Sequence, residues 1–335
     1  MRRRAAGILI SLIAACGMLP AEAAPPSPRR PVTTYSIVAR DPETGQLGVA
    51  VQSHWFSVGS LVIWAEAGIG AVATQSFVDP AYGPRLLALL DSGMDAPAAL
   101  AALVGADPGR EVRQVAVVDA AGRAAAHTGS RCIEAAAQHV GDGYSAQANM
   151  MGRDTVVPAM ARAFESAPGD LADRLLAALE AAQSEGGDIR GRQSAAILVV
   201  RGARGGEPWA DRVLELRVED NSQPVVELRR LVGLHRAYQH MNRGDAAVER
   251  GDLETALAEY GAAAGLAPDN LEITYWHAVT LATNGHEAEA EPLFRRVFAA
   301  QTGWVELTRR LLAPGVIPDT PEGRALVGRI VALAP

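Results

Sequence analysis

TTYSIVARDPETGQLGVAVQS, residues 33–53, decides the fold. Its two apolar runs, residues 35–40 and 46–52, are β-branched or alternating, and Asp41-Pro42-Glu43-Thr44-Gly45 separates them. Proline presets a turn dihedral and glycine permits a positive φ, so the stretch predicts a β-hairpin. Thr34 heads the first strand and follows a proline-rich segment whose removal would leave it at a chain terminus. A terminal threonine carries its own α-amino group, with a pKa near about 8, beside its hydroxyl as a local general base. Left internal, the same residue is an ordinary strand threonine that suits β geometry.

The composition narrows the chemistry. A chain of 335 residues that is 49% hydrophobic and 21% charged is globular and long enough for more than one domain. All 31 basic residues are arginine, which excludes a Schiff-base lysine, a phosphate-loop lysine and a Ser–Lys dyad. The net charge of −7 disfavours polyphosphate partners, and 5% aromatic residues are too few for base-stacking platforms, so no nucleic acid partner is expected.

The N-terminus reads as an export signal. Arg2-Arg3-Arg4 is a positive start, residues 5–15 an apolar core too short to span a bilayer, and Ala21-Glu22-Ala23 a small-x-small cleavage site. A rival reading makes Ile13-Ala14-Ala15-Cys16 a lipobox with an acylated Cys16. Either way the expectation is a secreted or periplasmic protein without a membrane span. Loss of Cys16 leaves Cys132 without an intrachain disulfide partner and reads it as a buried structural thiol. Residues 24–33, APPSPRRPVT, have four prolines and predict a pro-segment or linker without regular structure.

After the hairpin, residues 61–65 and 69–75 predict a second β pair, and residues 80–91 and 96–104 two helices. Strands follow at 112–119 and 123–128, helices near 131–139, 154–166 and 171–183, and strands at 193–201 and 212–218. Hairpins outnumber crossovers, which predicts an α+β layered fold with antiparallel sheets and helices on the outer faces. Polar residues gather at the expected strand ends: Gln75, Arg113, Gln114, Asn149, Glu180, and Asp188, Arg190, Gln193 and Ser194 within residues 186–194. A buried polar group without a partner costs about 1–3 kcal/mol, so these residues need either a common site or self-satisfied turns.

The stretches TTYSIVARDPETGQLGVAVQS, GAVATQSF, REVRQVAVVD, HTGSRC and ALEAAQSEGGDIRGRQSAAILVV, in that order, closely resemble the bacterial domain of unknown function 1028. The resemblance runs from Thr34 to about Leu228. It implies likeness to N-terminal-nucleophile hydrolases: a four-layer αββα sandwich over residues 34–228, with the nucleophile heading the first strand, here Thr34. The sequence departs by placing residues 1–23 and 24–33 in front, so cleavage after Ala23 leaves Thr34 still internal.

Residues 229–335 turn to alanine-rich helix. Gly251, Ala256 and Tyr260 recur 34 residues later as Gly285, Ala290 and Phe294, which resembles tetratricopeptide spacing and predicts a small all-α domain. Such a stack either covers a sheet face or presents a groove to a protein partner. The seven histidines form no metal motif, and no nucleotide loop is present, so no metal and no cofactor are expected. Two functions stand. One is an exported amidohydrolase acting on a small amide or peptide. In it Thr34 attacks, Asn149, Gln75 or backbone amides hold the oxyanion, and Ser36, Asp188 and Arg190 orient the amine and substrate. Ser53, Gln75, Arg113, Glu180, Gln193 and Ser194 line its substrate site. The other is a non-catalytic binding or scaffold protein on the same framework.

Overall fold

The structure, a computed structural model, describes residues 31–335. The expected export signal, Cys16 and residues 24–30 lie outside the described residues. The hairpin forms as expected: β1 (Thr34–Arg40) pairs antiparallel with β2 (Leu47–Ser53), in register from Thr34↔Ser53 to Arg40↔Leu47. Asp41 Oδ1 closes the turn by accepting from the Glu43 and Thr44 amides (3.1 and 2.7 Å), and Gly45 takes the positive φ of 71°. Both strands are buried on both faces, which explains why their apolar runs are nearly continuous.

A short helix α1 (Gly59–Val62) leads into β3 (Ile63–Glu66), which pairs with β4 (Gly70–Ser76). Helices α2 (Tyr82–Asp91) and α3 (Ala96–Ala106) follow, then β5 (Arg113–Asp119) and β6 (Ala124–Thr128). The chain continues with β7 (Ala137–Gly141), β8 (Tyr144–Asn149), α4 (Val156–Ser166), α5 (Leu171–Ser184), β9 (Ser194–Val200) and β10 (Arg212–Val218). These strands make two antiparallel sheets, a six-stranded one in the order β10-β9-β2-β1-β8-β7 and a four-stranded one in the order β3-β4-β5-β6.

Alternation of side chains assigns the layers. Val38, Val49, Val51, Ala71, Ala73, Ala116 and Ala196 fill the space between the sheets. Their neighbours Tyr35, Ile37, Ala50 and Ile197 point the other way, onto Met160, Phe164, Leu175 and Leu179 of α4 and α5. Val72, Val115 and Val117 pack against Leu86, Leu90 and Leu100 of α2 and α3. The order is helices, sheet, sheet, helices. Each large apolar side chain closed off here contributes about 1.5–3 kcal/mol before chain entropy is set against it.

The helix expected near residues 131–139 does not form. Residues 137–141 are strand β7, hairpinned to β8 through Gly143 at φ 73°. Alanine's helix propensity is a weak preference, and pairing with β8 overrides it. The missed β8 matters because it flanks β1 on the side opposite β2. Nor is the whole of residues 24–33 a free linker: Val32 bridges Ser76, and Val32 and Thr33 are both fully buried.

Asp107 ties α3 to β5 and α2, accepting from the Gly109 amide (2.6 Å), Arg113 Nε (2.9 Å) and the Tyr82 hydroxyl (3.1 Å). Burial alone would raise its pKa, but the hydrogen bonds from Arg113 and Gly109 and the Arg113 charge hold it below the ordinary 3.8. A carboxyl with a depressed folded pKa stabilises the fold above its unfolded value and loses that contribution as pH falls through the folded one. Thermal denaturation should therefore show the wild type more stable than Asp107→Asn at pH 7. The gap should close as pH falls below about 4, the ordinary range of an aspartate, and a gap independent of pH would show that Asp107 does not act through its charge.

The chain ends in helices α6 (Pro224–Glu249), α7 (Leu253–Leu266), α8 (Leu271–Thr283), α9 (Glu287–Ala300), α10 (Gly303–Arg310) and α11 (Pro321–Val331). The recurring residues take matching places: Gly251 and Gly285 at φ 73° and 85°, Ala256 and Ala290 buried, Tyr260 and Phe294 buried. Helix α6 packs on β9 and β10 as well as on α7, so the boundary expected at residue 228 falls inside one continuous helix. Among the described residues no helix is long and apolar enough to cross a membrane.

Candidate functional site

β1 begins between β2 and β8, and its odd–even alternation sends Thr34 and Ser36 into the space between the sheets. The apolar filling gives way there to a fully buried polar network. Ser36 Oγ donates to Gln75 Oε1 and accepts from Gln147 Nε2, both at 2.6 Å. Gln75 Nε2 donates to Gln114 Oε1 (2.6 Å) and to the Thr34 carbonyl (3.3 Å). Asn149 Nδ2 donates to the same Gln114 Oε1 at 2.9 Å. Gln114 Nε2 in turn reaches Thr128 Oγ1, the Ala148 carbonyl and the Ala137 carbonyl at 2.9, 2.9 and 3.2 Å. Six strands, β1, β7 and β8 of one sheet and β4, β5 and β6 of the other, are thus cross-linked at one end, which makes that end rigid.

Thr34 lies at the rim of this network, fully buried. Its Oγ1 donates to the Val32 carbonyl (2.8 Å) and, more weakly, to Ser53 Oγ (3.4 Å). The carbonyl of Thr33, which belongs to the peptide bond just ahead of Thr34, accepts from Ser53 Oγ and from Arg190 Nη2 at 3.4 Å. Arg190 is held in turn by the buried Asp188, with Nη2 to Oδ2 at 2.9 Å and Nε to Oδ1 at 3.2 Å. Asp188 also accepts from the amides of His54 and Arg190 (3.0 and 2.9 Å), so it fixes the two loops that follow β2 and α5. Asn149 is the register partner of Thr34 on β8, and its Oδ1 is buried with no hydrogen-bond partner among the described residues.

Of the residues expected from sequence, Thr34, Ser36, Ser53, Gln75, Asn149, Asp188 and Arg190 come together at this end. The others do not join them. Arg113 faces outward and is committed to Asp107 and the Phe77 carbonyl. Glu180 is half-exposed on α5 and clamps Arg229 of α6, with Nη2 to Oε2 at 2.9 Å. The Gln193 side chain donates to Asp220 (3.2 Å). Ser194 Oγ donates to the Trp55 carbonyl and accepts from the Val58 amide (3.1 Å), bracing the loop after β2.

Gln114, already among the polar strand-end residues, and Gln147, not expected from sequence, complete the network, and period-2 alternation places both on the inner face. Gln114 shares its face with Ala116 and Val118, and Gln147 shares its face with Asn149. On the other face of the six-stranded sheet lie Gln52, whose buried amide has no partner among the described residues, and Tyr35, whose hydroxyl donates to Gln183 Oε1 (3.1 Å). Burial pushes the Tyr35 phenol far up, against the opposing charge of Arg192, so it stays protonated. Cys132 is half-buried, donates to the Arg113 carbonyl (3.3 Å), and has its thiol pushed up by burial, which leaves it a poor nucleophile. Among the described residues no group of three or more His, Cys, Asp or Glu could hold a metal ion.

Residues 34–228 match the family described as "Family of unknown function (DUF1028)". The crystal structure of protein SPO2555 from Silicibacter pomeroyi, of that same family, superposes with a TM-score of 0.53 and 32% identity. It covers 60% of this chain and 88% of that one. No curated protein matches the chain. The match begins at the strand that carries Thr34 and takes in both sheets and the polar network between them, and the chain therefore belongs to the DUF1028 family.

Proposed function

We propose that the protein is an exported amidohydrolase of the N-terminal-nucleophile type, with Thr34 Oγ1 as nucleophile once the Thr33–Thr34 bond has been cut. One observation carries this reading: the carbonyl of that bond accepts from the Ser53 hydroxyl and the Arg190 guanidinium. Two donors on one carbonyl oxygen are what a developing oxyanion needs. The layer order of helices, sheet, sheet and helices, with Thr34 heading a central strand, supports the same reading. In the uncut chain the partners of Thr34 Oγ1 are a carbonyl and a hydroxyl, neither a useful base. Cutting supplies the base, because the new α-amine sits beside the hydroxyl, and the unpartnered Asn149 Oδ1 offers it an acceptor.

The reaction then follows in two balanced steps. The amine takes the hydroxyl proton, Oγ1 adds to the substrate carbonyl carbon, and Ser53 and Arg190 hold the oxygen while negative charge builds on it. The C–N bond breaks as the proton passes to the leaving amine, leaving an ester on Thr34. Water, deprotonated by the same amine, hydrolyses that ester to the acid and restores the hydroxyl.

Helices α6 to α9 fit two tetratricopeptide-like pairs, α6 with α7 and α8 with α9, and we assign them a protein-binding or covering role because of their repeated glycine, alanine and aromatic positions. A non-catalytic binding module is the second reading, favoured by the complete burial of Thr34 beneath its own upstream segment. Mass spectrometry of the exported protein separates the two. The hydrolase reading expects a chain that begins at Thr34 and cleaves amides in a screen of acyl amides and cell-wall peptides. A chain that keeps residues 24–33 and turns over nothing in that screen would leave the binding module.

A further inference from the structure

The chain just ahead of Thr34 is held the way a bound peptide is held. Val32 and Ser76 exchange both backbone hydrogen bonds, Val32 N to Ser76 O at 2.6 Å and Ser76 N to Val32 O at 3.0 Å, so the segment adds a strand at the end of β4. The Val32 side chain is fully buried in the cluster between the sheets that includes Val51, Val58 and Val78. Thr33 is fully buried as well, and its Oγ1 donates to Met150 Sδ at 3.0 Å. Its carbonyl takes the Ser53 and Arg190 bonds. Backbone pairing, an apolar socket and a polarised carbonyl therefore act on three successive features of one extended segment.

Building on the hydrolase reading above, we propose that the place held by Val32 and Thr33 is the acyl-side substrate subsite. Its substrate is an extended peptide with a small β-branched aliphatic residue one position ahead of the residue whose carbonyl is attacked. A single nucleophile has to meet the carbonyl of its own upstream segment and the carbonyl of a substrate at the same point, so the donors that grip one grip the other. The residue before the attacked carbonyl then falls where Thr33 is, and the one before that where Val32 is. Valine fills its socket with no exposed surface; an aspartate there would bury an unpaired charge, and a bulky aromatic would overpack it. Until it leaves, the segment is a tethered competitor for its own site.

Titration calorimetry on the full chain tests this with two acetylated tetrapeptides, Arg-Pro-Val-Thr and Arg-Pro-Asp-Thr, each with a free carboxylate. The wild-type chain, its site filled internally, should bind neither. The Val32→Asp chain, whose own segment no longer fits, should bind the valine peptide at least about tenfold tighter than the aspartate peptide. Binding should also slow hydrogen exchange at the Ser76 amide. If Val32→Asp does not fold, Val32→Gly serves in the same comparison. A folded variant that binds neither peptide, or both equally, overturns the subsite. The readout is independent of turnover. Selective binding without any amide hydrolysis would support the subsite and sink the hydrolase alone; hydrolysis without selection would do the reverse.

Discussion

Thr34→Ala is expected to abolish amide hydrolysis by the chain that begins at residue 34, lowering kcat/KM by about 10⁴-fold or more, as loss of a covalent nucleophile does. Thr34→Ser should keep part of the activity, because it preserves a hydroxyl beside the same amine. The fold should hardly notice either change. In the uncut chain the hydroxyl is engaged with the Val32 carbonyl at 2.8 Å, a bond that contributes about 1 kcal/mol, and the chain that begins at residue 34 has already lost that carbonyl. With the α-amine as base, activity should rise with pH through about 7 to 8, the range in which a terminal amine gives up its proton. Equal rates for the parent and Thr34→Ala on any substrate that turns over would remove Thr34 from the chemistry. Because the chain has no lysine, no ε-amine could then be called on in its place.

Gln114→Leu should be the most damaging single change to stability among the residues of the network, costing about 3–5 kcal/mol. Leucine is of similar size, so the loss is polar. Asn149 Nδ2 and Thr128 Oγ1 lose a partner, the Ala148 and Ala137 carbonyls lose a donor, and Gln75 Nε2 keeps only the Thr34 carbonyl. All but the rim of this set is buried, where an unmet donor or acceptor costs most. Urea denaturation would read the change as a lower midpoint with an unchanged slope. Gln193→Ala, which removes only the link to Asp220, should stay within about 0.5 kcal/mol and is the control. A cost below about 1 kcal/mol for Gln114→Leu would mean the network is not what holds this end of the sheets together.

The contrast between Gln114 and its neighbour Arg113 shows what could be read from sequence and what could not. The strand was legible from its β-branched run, but which residue faces inward depends on register, and a slip of one residue exchanges the two faces. Arg113 attracts attention as a charge, yet it points out to Asp107, while Gln114 points in and joins both sheets. The hairpin around Asp41–Gly45 was legible because its turn chemistry is local. The β7 strand was not, since its alanines favour helix and only pairing with β8 makes it extended. Thr34, Ser53, Asp188 and Arg190 could be named one by one, but their convergence on the Thr33 carbonyl joins residues up to 157 apart in the chain. The proline count of residues 24–33 pointed to an unstructured linker, because composition does not disclose that one valine in it has a socket waiting.

Helix α6 gives the molecule a load path. It runs 26 residues, about 39 Å at the usual rise, with one stretch seated on β9 and β10 and another paired with α7. It is also bolted to α5 by Arg229 on Glu180 and by Arg236 on Asp170 and Asp173. A pull on the terminal helices therefore arrives first at α5 and at the edge strand β10; along the sheet it must peel through β9 and β2 before it reaches β1, whereas α5 packs on β1 directly. The arginine–carboxylate bolts at the surface thus couple the terminal helices, through the single layer of α5, to the strand that carries Thr34.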